Sequence, residues 1–351
     1  MQAAHSLVPE TSSNLLSGSL SNLLPGHFAA GLGQAFSSLP AALQFAFAIV
    51  FGLVIGSFLN VVVHRVPIML ERAWRLEVSE ATNEPLEQDG LPARYNLWVP
   101  RSACPHCGHV LHAWENLPVL SYLLLRGRCS ACGARVSPRY PLLELASAAL
   151  AAAALALFGP TLAALAAFGL CAALLAMSAI DIDTHLLPDS MTLPLLWAGI
   201  IVNFYGVFAS LHDAVLGAIF GYLVLWAVHW LFRLVRGIDG MGYGDFKLLA
   251  ALGAWLGWAA LPQIVLVAAV AGAVVGLAAT WRGRMRFEEP LPFGPFLAAG
   301  GVLTLFSAHR FTWLSEAEAC SLWDSQAASA AANRPLPICS RRMACRSSTR
   351  I

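Results

Sequence analysis

Residues Leu145 to Ile180 read LASAALAAAALALFGPTLAALAAFGLCAALLAMSAI, 36 positions without one charged side chain, interrupted only at Gly159-Pro160-Thr161. About 20 apolar residues cross the hydrocarbon core of a bilayer as a helix. The break therefore divides the stretch into two membrane-crossing helices. Upstream, Leu43 to Val63 is charge-free over 21 residues and supplies a first span. Downstream, further apolar runs occupy roughly 190 to 208, 214 to 232, 248 to 281 with an interruption at Pro262, and 293 to 308. The expectation is an all-α polytopic membrane protein of about eight transmembrane helices.

Composition agrees. Of 351 residues, 58% are hydrophobic and 12% charged, about half the charged share of an ordinary soluble domain. A soluble globular enzyme and a disordered chain are excluded. With 21 Lys+Arg against 20 Asp+Glu, the net charge of +1 gives no reason to expect a nucleic-acid partner.

The placement of the charges sets the orientation, because cytoplasmic connections carry the Arg and Lys excess. Arg65, Arg72, Arg75, Arg94, Arg101, Arg126, Arg128, Arg135 and Arg139 all fall between the first and second spans. Arg233, Arg236 and Lys247 fall between the fifth and sixth, and Arg282, Arg284 and Arg286 between the seventh and eighth. The turns at 159 to 161, 209 to 213 and 260 to 262 have none. The loop 64 to 140 is thus cytoplasmic, together with the connections at 181 to 189 and 233 to 247.

Five segments follow: an extension at 1 to 42 without the cationic start of a signal peptide, the first span at 43 to 63, the loop 64 to 140, a membrane core at 141 to 308, and a tail at 309 to 351. The extension reads as poorly ordered. The tail holds Cys320, Cys339 and Cys345 in a Ser/Ala/Arg-rich context that reads as disordered. Its arginines spoil the charge pattern but lie too far from a span to govern orientation.

The loop 64 to 140 contains Cys104-Pro-His-Cys107-Gly and, after 21 intervening residues, Cys129-Ser-Ala-Cys132-Gly. Paired C-x2-C knuckles supply four thiolates to tetrahedral zinc, and the glycine after each pair leaves room for backbone amides to approach sulfur. The alternative is two disulfides, which a reducing cytoplasm disfavours. Four thiolates make a closed, structural site. His106, His109 and His112 stand nearby as substitute ligands or as plain surface residues. No HExxH motif occurs, so a zinc-protease reading lacks its ligands.

Ionisable groups at membrane depth are functional candidates by default. Asp189 and Asp213 are each explained as the N-cap of a span. Glu144 reads as structural, as an interface residue or a partner for Arg139. Asp181 and Asp183 end the third span and point about 200° apart on a helix, so only one faces a common interior partner. Asp245 closes Gly240-Met-Gly242-Tyr-Gly244-Asp245 before the sixth span. An N-cap would explain it too, and the glycines would permit positive φ and leave its carboxylate uncovered. The run lacks the spacing and preceding strand of a phosphate loop. Two carboxylates on one side of a membrane suggest an aspartic dyad, one acid ionised and one protonated.

These motifs together resemble the bacterial type IV prepilin peptidases, the leader peptidase/N-methyltransferases of the GxGD aspartic class. The resemblance rests on Gly56-Ser-Phe-Leu-Asn60-Val-Val-Val-His64-Arg65, the four-cysteine loop, Ser178-Ala-Ile-Asp181 with Leu187-Pro188-Asp189, Gly242-Tyr-Gly244-Asp245-Phe-Lys247, and Pro292-Phe-Gly294-Pro295. It covers roughly 45 to 308. By position it implies Asp181 and Asp245 as the catalytic pair, with Asp183 and Asp189 second. It also implies an inner-membrane enzyme with its active site facing the cytoplasm. Such an enzyme removes leaders from type IV prepilins and type II secretion pseudopilins and then methylates the new N-terminus with S-adenosylmethionine. Cys104, Cys107, Cys129 and Cys132 would be the zinc ligands of the methylating form. Two rival classes are a proton- or cation-coupled transporter using intramembrane carboxylates and a zinc-stabilised secretion scaffold without catalysis. Solute uptake marks the first, and tolerance of losing either aspartate marks the second.

Overall fold

The computed structural model describes residues 35–83, 90, 92, 94–237, 242–283 and 291–307. Helices α1 (Ala41–Thr82), α2 (Leu120–Leu124), α3 (Arg139–Phe158), α4 (Leu162–Thr184), α5 (Asp189–Phe204), α6 (Leu211–Arg236), α7 (Tyr243–Leu256) and α8 (Leu261–Trp281) follow in order. A last helix, α9 (Gly294–Ser307), completes them. Among the described residues there is no strand; two isolated bridges, Ala103 with Val110 and Arg128 with Arg135, are the extended pairings. The chain divides into two compact units between Leu195 and Leu196. The tail 309 to 351 and residues 1 to 34 of the extension lie outside the described residues.

Among the described residues five helices are long and apolar enough to cross a membrane by themselves, where the sequence reading expects about eight: α1, α3, α4, α6 and the segment Trp258–Trp281. The remaining apolar runs do fold as helices, but α5 has 16 residues and α7 has 14. At 1.5 Å per residue α7 is about 21 Å long, short of a hydrocarbon core of about 30 Å. Its ten buried positions show how a short helix is accommodated. Asn203, 1% exposed, donates through Nδ2 to the carbonyls of Ala254 and Trp255 at 2.8 Å each, and its Oδ1 accepts from Phe208 and Ala209 N–H. Carbonyls at a helix end that would otherwise lie unpaired in an apolar setting are thereby satisfied.

The first span also departs from its expected limits. Charges begin at Arg65, yet α1 continues to Thr82, through Pro67. Charge ends the lipid-facing part of a helix without ending the helix, and residues 68 to 82 are rich in Leu, Met, Glu, Arg and Ala, all strong helix formers. Similarly α3 starts at Arg139, before the apolar run proper.

Small residues set the packing in each unit. Helices in lipid gain little from apolar burial against one another, so close backbone approach through glycine matters more. In the first unit Gly52 and Gly56 of α1 lie against α3; a Cβ on them would stand 2.6 Å from the Cα of Ala148 and of Glu144. In the second unit a Cβ on Gly217 of α6 would fall 2.2 Å from the Gly253 carbonyl oxygen, and one on Gly253 would fall 2.1 Å from that of Gly217. Gly221 repeats the contact at 2.6 Å from the Leu249 oxygen. Both stripes are Gly-x-x-x-Gly in sequence.

Candidate functional site

Asp181 sits in the last turn of α4, 5% exposed, two positions before an exposed Asp183. The two side chains do separate, as helical geometry requires. Asp183 takes Arg139: Nη1 lies 2.5 and 2.6 Å from its two carboxylate oxygens, while Nη2 donates to the Ala179 carbonyl at 2.9 Å. A guanidinium near a helix C-terminus opposes the negative end of its dipole. Of the two alternatives for Glu144, the pairing with Arg139 is not the one formed. Helix α4 closes at His185, φ 54°, whose N–H donates to the Asp181 carbonyl. Arg139 therefore fixes the turn that presents Asp181. Replacing it with alanine is expected to lower any activity that depends on Asp181 by about tenfold. Arg139→Lys should recover part of that loss; kcat for the two variants, measured side by side, checks the expectation.

Asp245 lies in the first turn of α7 and is 7% exposed. It does not cap the helix: Gly242 occupies that position, with φ −74° and ψ 146°, and the Asp245 N–H donates to its carbonyl at 3.2 Å. Gly242 therefore has no positive φ, Gly244 is inside α7, and the carboxylate is buried rather than uncovered. Gly240 falls outside the described residues. An aromatic cluster frames this turn: His229 lies 5.6 Å from Tyr243 and 5.5 Å from Phe246, and Phe246 is fully buried. Asp181 belongs to the first unit and Asp245 to the second.

Asp189, Asp213 and Glu144 are the other membrane-edge acids. Asp189 is the first residue of α5. Asp213 is not the cap of α6; Ser210 is, its Oγ accepting from the Asp213 N–H at 3.1 Å. The Asp213 carboxylate accepts from Ser210 Oγ and Trp258 Nε1. Glu144 is 8% exposed and accepts from the Val119 N–H at 2.7 Å, with Asn60 Nδ2 at 3.5 Å.

The four cysteines of the loop converge. Cys104, Cys107, Cys129 and Cys132 are free thiols whose Sγ atoms lie within 4.8 Å of one another, with 3.9 Å between Cys104 and Cys132 and 4.0 Å between Cys107 and Cys129. A tetrahedral ion with bonds of about 2.3 Å to sulfur needs edges of about 3.8 Å, so the set fits a metal. Each knuckle is the same turn. Cys104 N–H donates to the His109 carbonyl and Cys129 N–H to that of Ala134; Gly108 and Gly133, φ 71° and 70°, donate back to Cys104 and Cys129. A Cβ on either glycine would meet nothing within 4 Å. Glycine is there for its positive φ and not, as expected from sequence, to clear space at sulfur. The backbone N–H groups of Cys107 and His106 bring the Cys104 thiol down to about 7 and those of Cys132 and Ala131 lower Cys129, whereas the Cys107 thiol, beside the other three sulfurs, is pushed up to about 12.

Sequence reading missed Glu115, 7% exposed, which joins the two knuckles. Its carboxylate accepts from Ser130 Oγ beside the second knuckle and from the His112 N–H, and lies 3.3 Å from His109 Nε2. These bonds hold it ionised, its carboxyl lowered to about 2, with the Ser130 hydroxyl the main cause. His109 and His112 gather around this carboxylate; the four-sulfur set contains no histidine.

A multi-pass helical membrane protein with buried acids at helix ends and a four-thiol lobe is the class that these features define. Residues 50–158 match the bacterial peptidase A24 N-terminal domain and residues 168–277 the type IV leader peptidase family. A prepilin leader peptidase/N-methyltransferase of Burkholderia pseudomallei (strain K96243) is 73% identical over 283 residues, covering 81% of this chain and 92% of that protein. Proteins of the same name from Stutzerimonas stutzeri and Aeromonas hydrophila are each 52% identical, over 265 and 270 residues, covering 76% and 77% of this chain and 91% and 93% of theirs. No solved structure matches. The chain belongs to the type IV leader peptidase family.

Proposed function

We propose that the chain is a multi-pass enzyme of the bacterial inner membrane that removes the leader of type IV prepilins and type II secretion pseudopilins at the cytoplasmic face, then methylates the new N-terminus from S-adenosylmethionine. The observation that carries the hydrolytic half is that Asp181 and Asp245 are both more than nine-tenths buried at membrane-helix ends. Arginine placement supports a cytoplasmic position for both ends.

Two carboxylates brought together hold one proton between them, because proximity drives their affinities for it apart. The ionised acid takes a proton from a water molecule as its oxygen adds to the scissile carbonyl carbon, while the protonated acid donates to the carbonyl oxygen. Collapse of the tetrahedral carbon breaks the C–N bond, and the amine leaves with the proton that the first acid took. The substrate must be extended at that bond, since a helical peptide keeps its carbonyl hydrogen-bonded and screened from water. Cys104, Cys107, Cys129 and Cys132 would hold zinc in a closed, structural site, with Glu115 fixing the two halves of the lobe.

The test is incubation of purified protein with a precursor carrying its leader, followed by mass spectrometry of the product. A shortened product whose N-terminus is 14 Da heavier after addition of the methyl donor supports both halves; an intact precursor refutes the reading. The metal assignment has its own check. One zinc per chain is expected, and Glu115→Ala should weaken its retention against a chelator by about 10-fold to 100-fold, the usual effect of losing an outer-shell partner.

A further inference from the structure

Within the first unit, a cavity of about 570 Å³ lies between α1, the cysteine lobe and the start of α3. Leader hydrolysis gives it no task. We propose that this cavity is the seat of S-adenosylmethionine, an inference that rests on the methylating half of the function proposed above.

The volume falls in the range of about 300 to 1,000 Å³ typical of pockets for ligands of this size. Its lining matches the donor's unusual charge pattern, a cationic sulfonium joined to a zwitterionic amino acid and a flat base. Glu144 lines the cavity as a buried carboxylate held by neutral partners, the Val119 N–H and Asn60. No arginine, lysine or histidine forms an ion pair with it among the described residues. A buried carboxylate without a cation is costly unless a cation arrives with the ligand. Arg65, 7% exposed, is fastened by the Asn96 and Pro100 carbonyls at 2.8 and 2.6 Å and lies over the Tyr95 ring at 5.6 Å. It supplies fixed positive charge for the donor's carboxylate, and Tyr95 an aromatic surface for its base. His64, exposed into the same cavity, bears no protein hydrogen bond among the described residues and is available to the ribose hydroxyls.

Position supports the assignment as well. The first turns of α3 supply Glu144 and Tyr140 to the cavity and Arg139 to the end of α4 that bears Asp181. One stretch of helix thus serves both the cavity and the turn that carries a proposed hydrolytic acid. In the transfer itself, an N-terminal amine that has lost a proton attacks the methyl carbon through its lone pair. The C–S bond breaks with its electrons left on sulfur, so the positive charge passes from sulfur to nitrogen and a neutral thioether departs. Glu144 favours the sulfonium before transfer and the new ammonium after it.

The experiment uses the full chain in lipid nanodiscs with methyl-tritiated S-adenosylmethionine. Ultraviolet cross-linking of the unmutated protein, then peptide mapping, should place label in segments 57–65, 95–106 or 136–144, and excess S-adenosylhomocysteine should suppress it. Equilibrium binding should show Kd raised at least tenfold in Glu144→Gln and in Tyr95→Ala, with melting curves of both variants superposing on the wild type. Label confined to 168–277, or unchanged Kd in both variants, overturns the placement while leaving methylation intact. Failure of the wild type to bind or transfer the methyl group overturns the methylating half of the proposed function and this site with it.

Discussion

Asp181→Asn and Asp245→Asn are each expected to reduce leader removal by about 10³-fold or more, toward the background of the assay, with folding and membrane insertion unaltered. Asparagine reproduces the outline of aspartate, so packing at two positions that are only 5% and 7% exposed is kept. What disappears, on the proposed mechanism, is the single proton shared between two acids. With either acid gone, the one that remains cannot both take a proton from water and donate one to the carbonyl oxygen, and general acid–base catalysis of this kind is worth about 10²- to 10⁴-fold for each group. Initial rates on a purified precursor measure the effect. The same pair separates the rival classes: a carboxylate-coupled transporter would lose solute flux and a scaffold would lose nothing, whereas a hydrolase loses cleavage. Retention of more than a tenth of the wild-type rate in either variant would remove that residue from the dyad.

The second large effect is structural. Gly253→Val is expected to destabilise the second unit by about 3 kcal/mol or more, because its Cβ would lie 2.1 Å from the backbone oxygen of Gly217 and backbone cannot move aside as a side chain can. Helix α7, which carries Asp245, would be pushed from α6. Loss of monodisperse protein and a fall in melting temperature should accompany loss of cleavage. Gly169→Ala in α4 provides the contrast: nothing lies within 4 Å of the added carbon, and alanine is the better helix former, so stability should hold or rise. Equal damage from both substitutions would show that close backbone approach is not what holds α6 and α7 together.

Much of this organisation was legible in the sequence because it depends on local runs. Charge-free stretches announce helices, Gly159-Pro160 announces a break, and two C-x2-C pairs announce a four-sulfur cluster whatever the loop between them does. The angular argument that separated Asp181 from Asp183 also needed only one helix. Features that depend on a partner distant in sequence were not legible. Arg139 chose Asp183, 44 positions away, over Glu144 on its own helix. Asn203 satisfies carbonyls 51 and 52 positions on, at the end of α7, a contact that no local run announces. Glu115 lacked any signal beyond its position between the knuckles. The glycine stripes Gly52/Gly56 and Gly217/Gly221 did carry one, the Gly-x-x-x-Gly spacing inside apolar helices, and that pattern was available to find them.

The central proposal is that the Asp181 and Asp245 carboxylates meet over one water molecule. An experimental structure in lipid with a non-cleavable leader peptide bound measures this directly. Hydrogen bonds of about 2.8 Å from each acid to that water place the nearest carboxylate oxygens no more than about 5.6 Å apart. Separation beyond about 8 Å, with another helix between them and the peptide bond in neither's reach, would contradict the account.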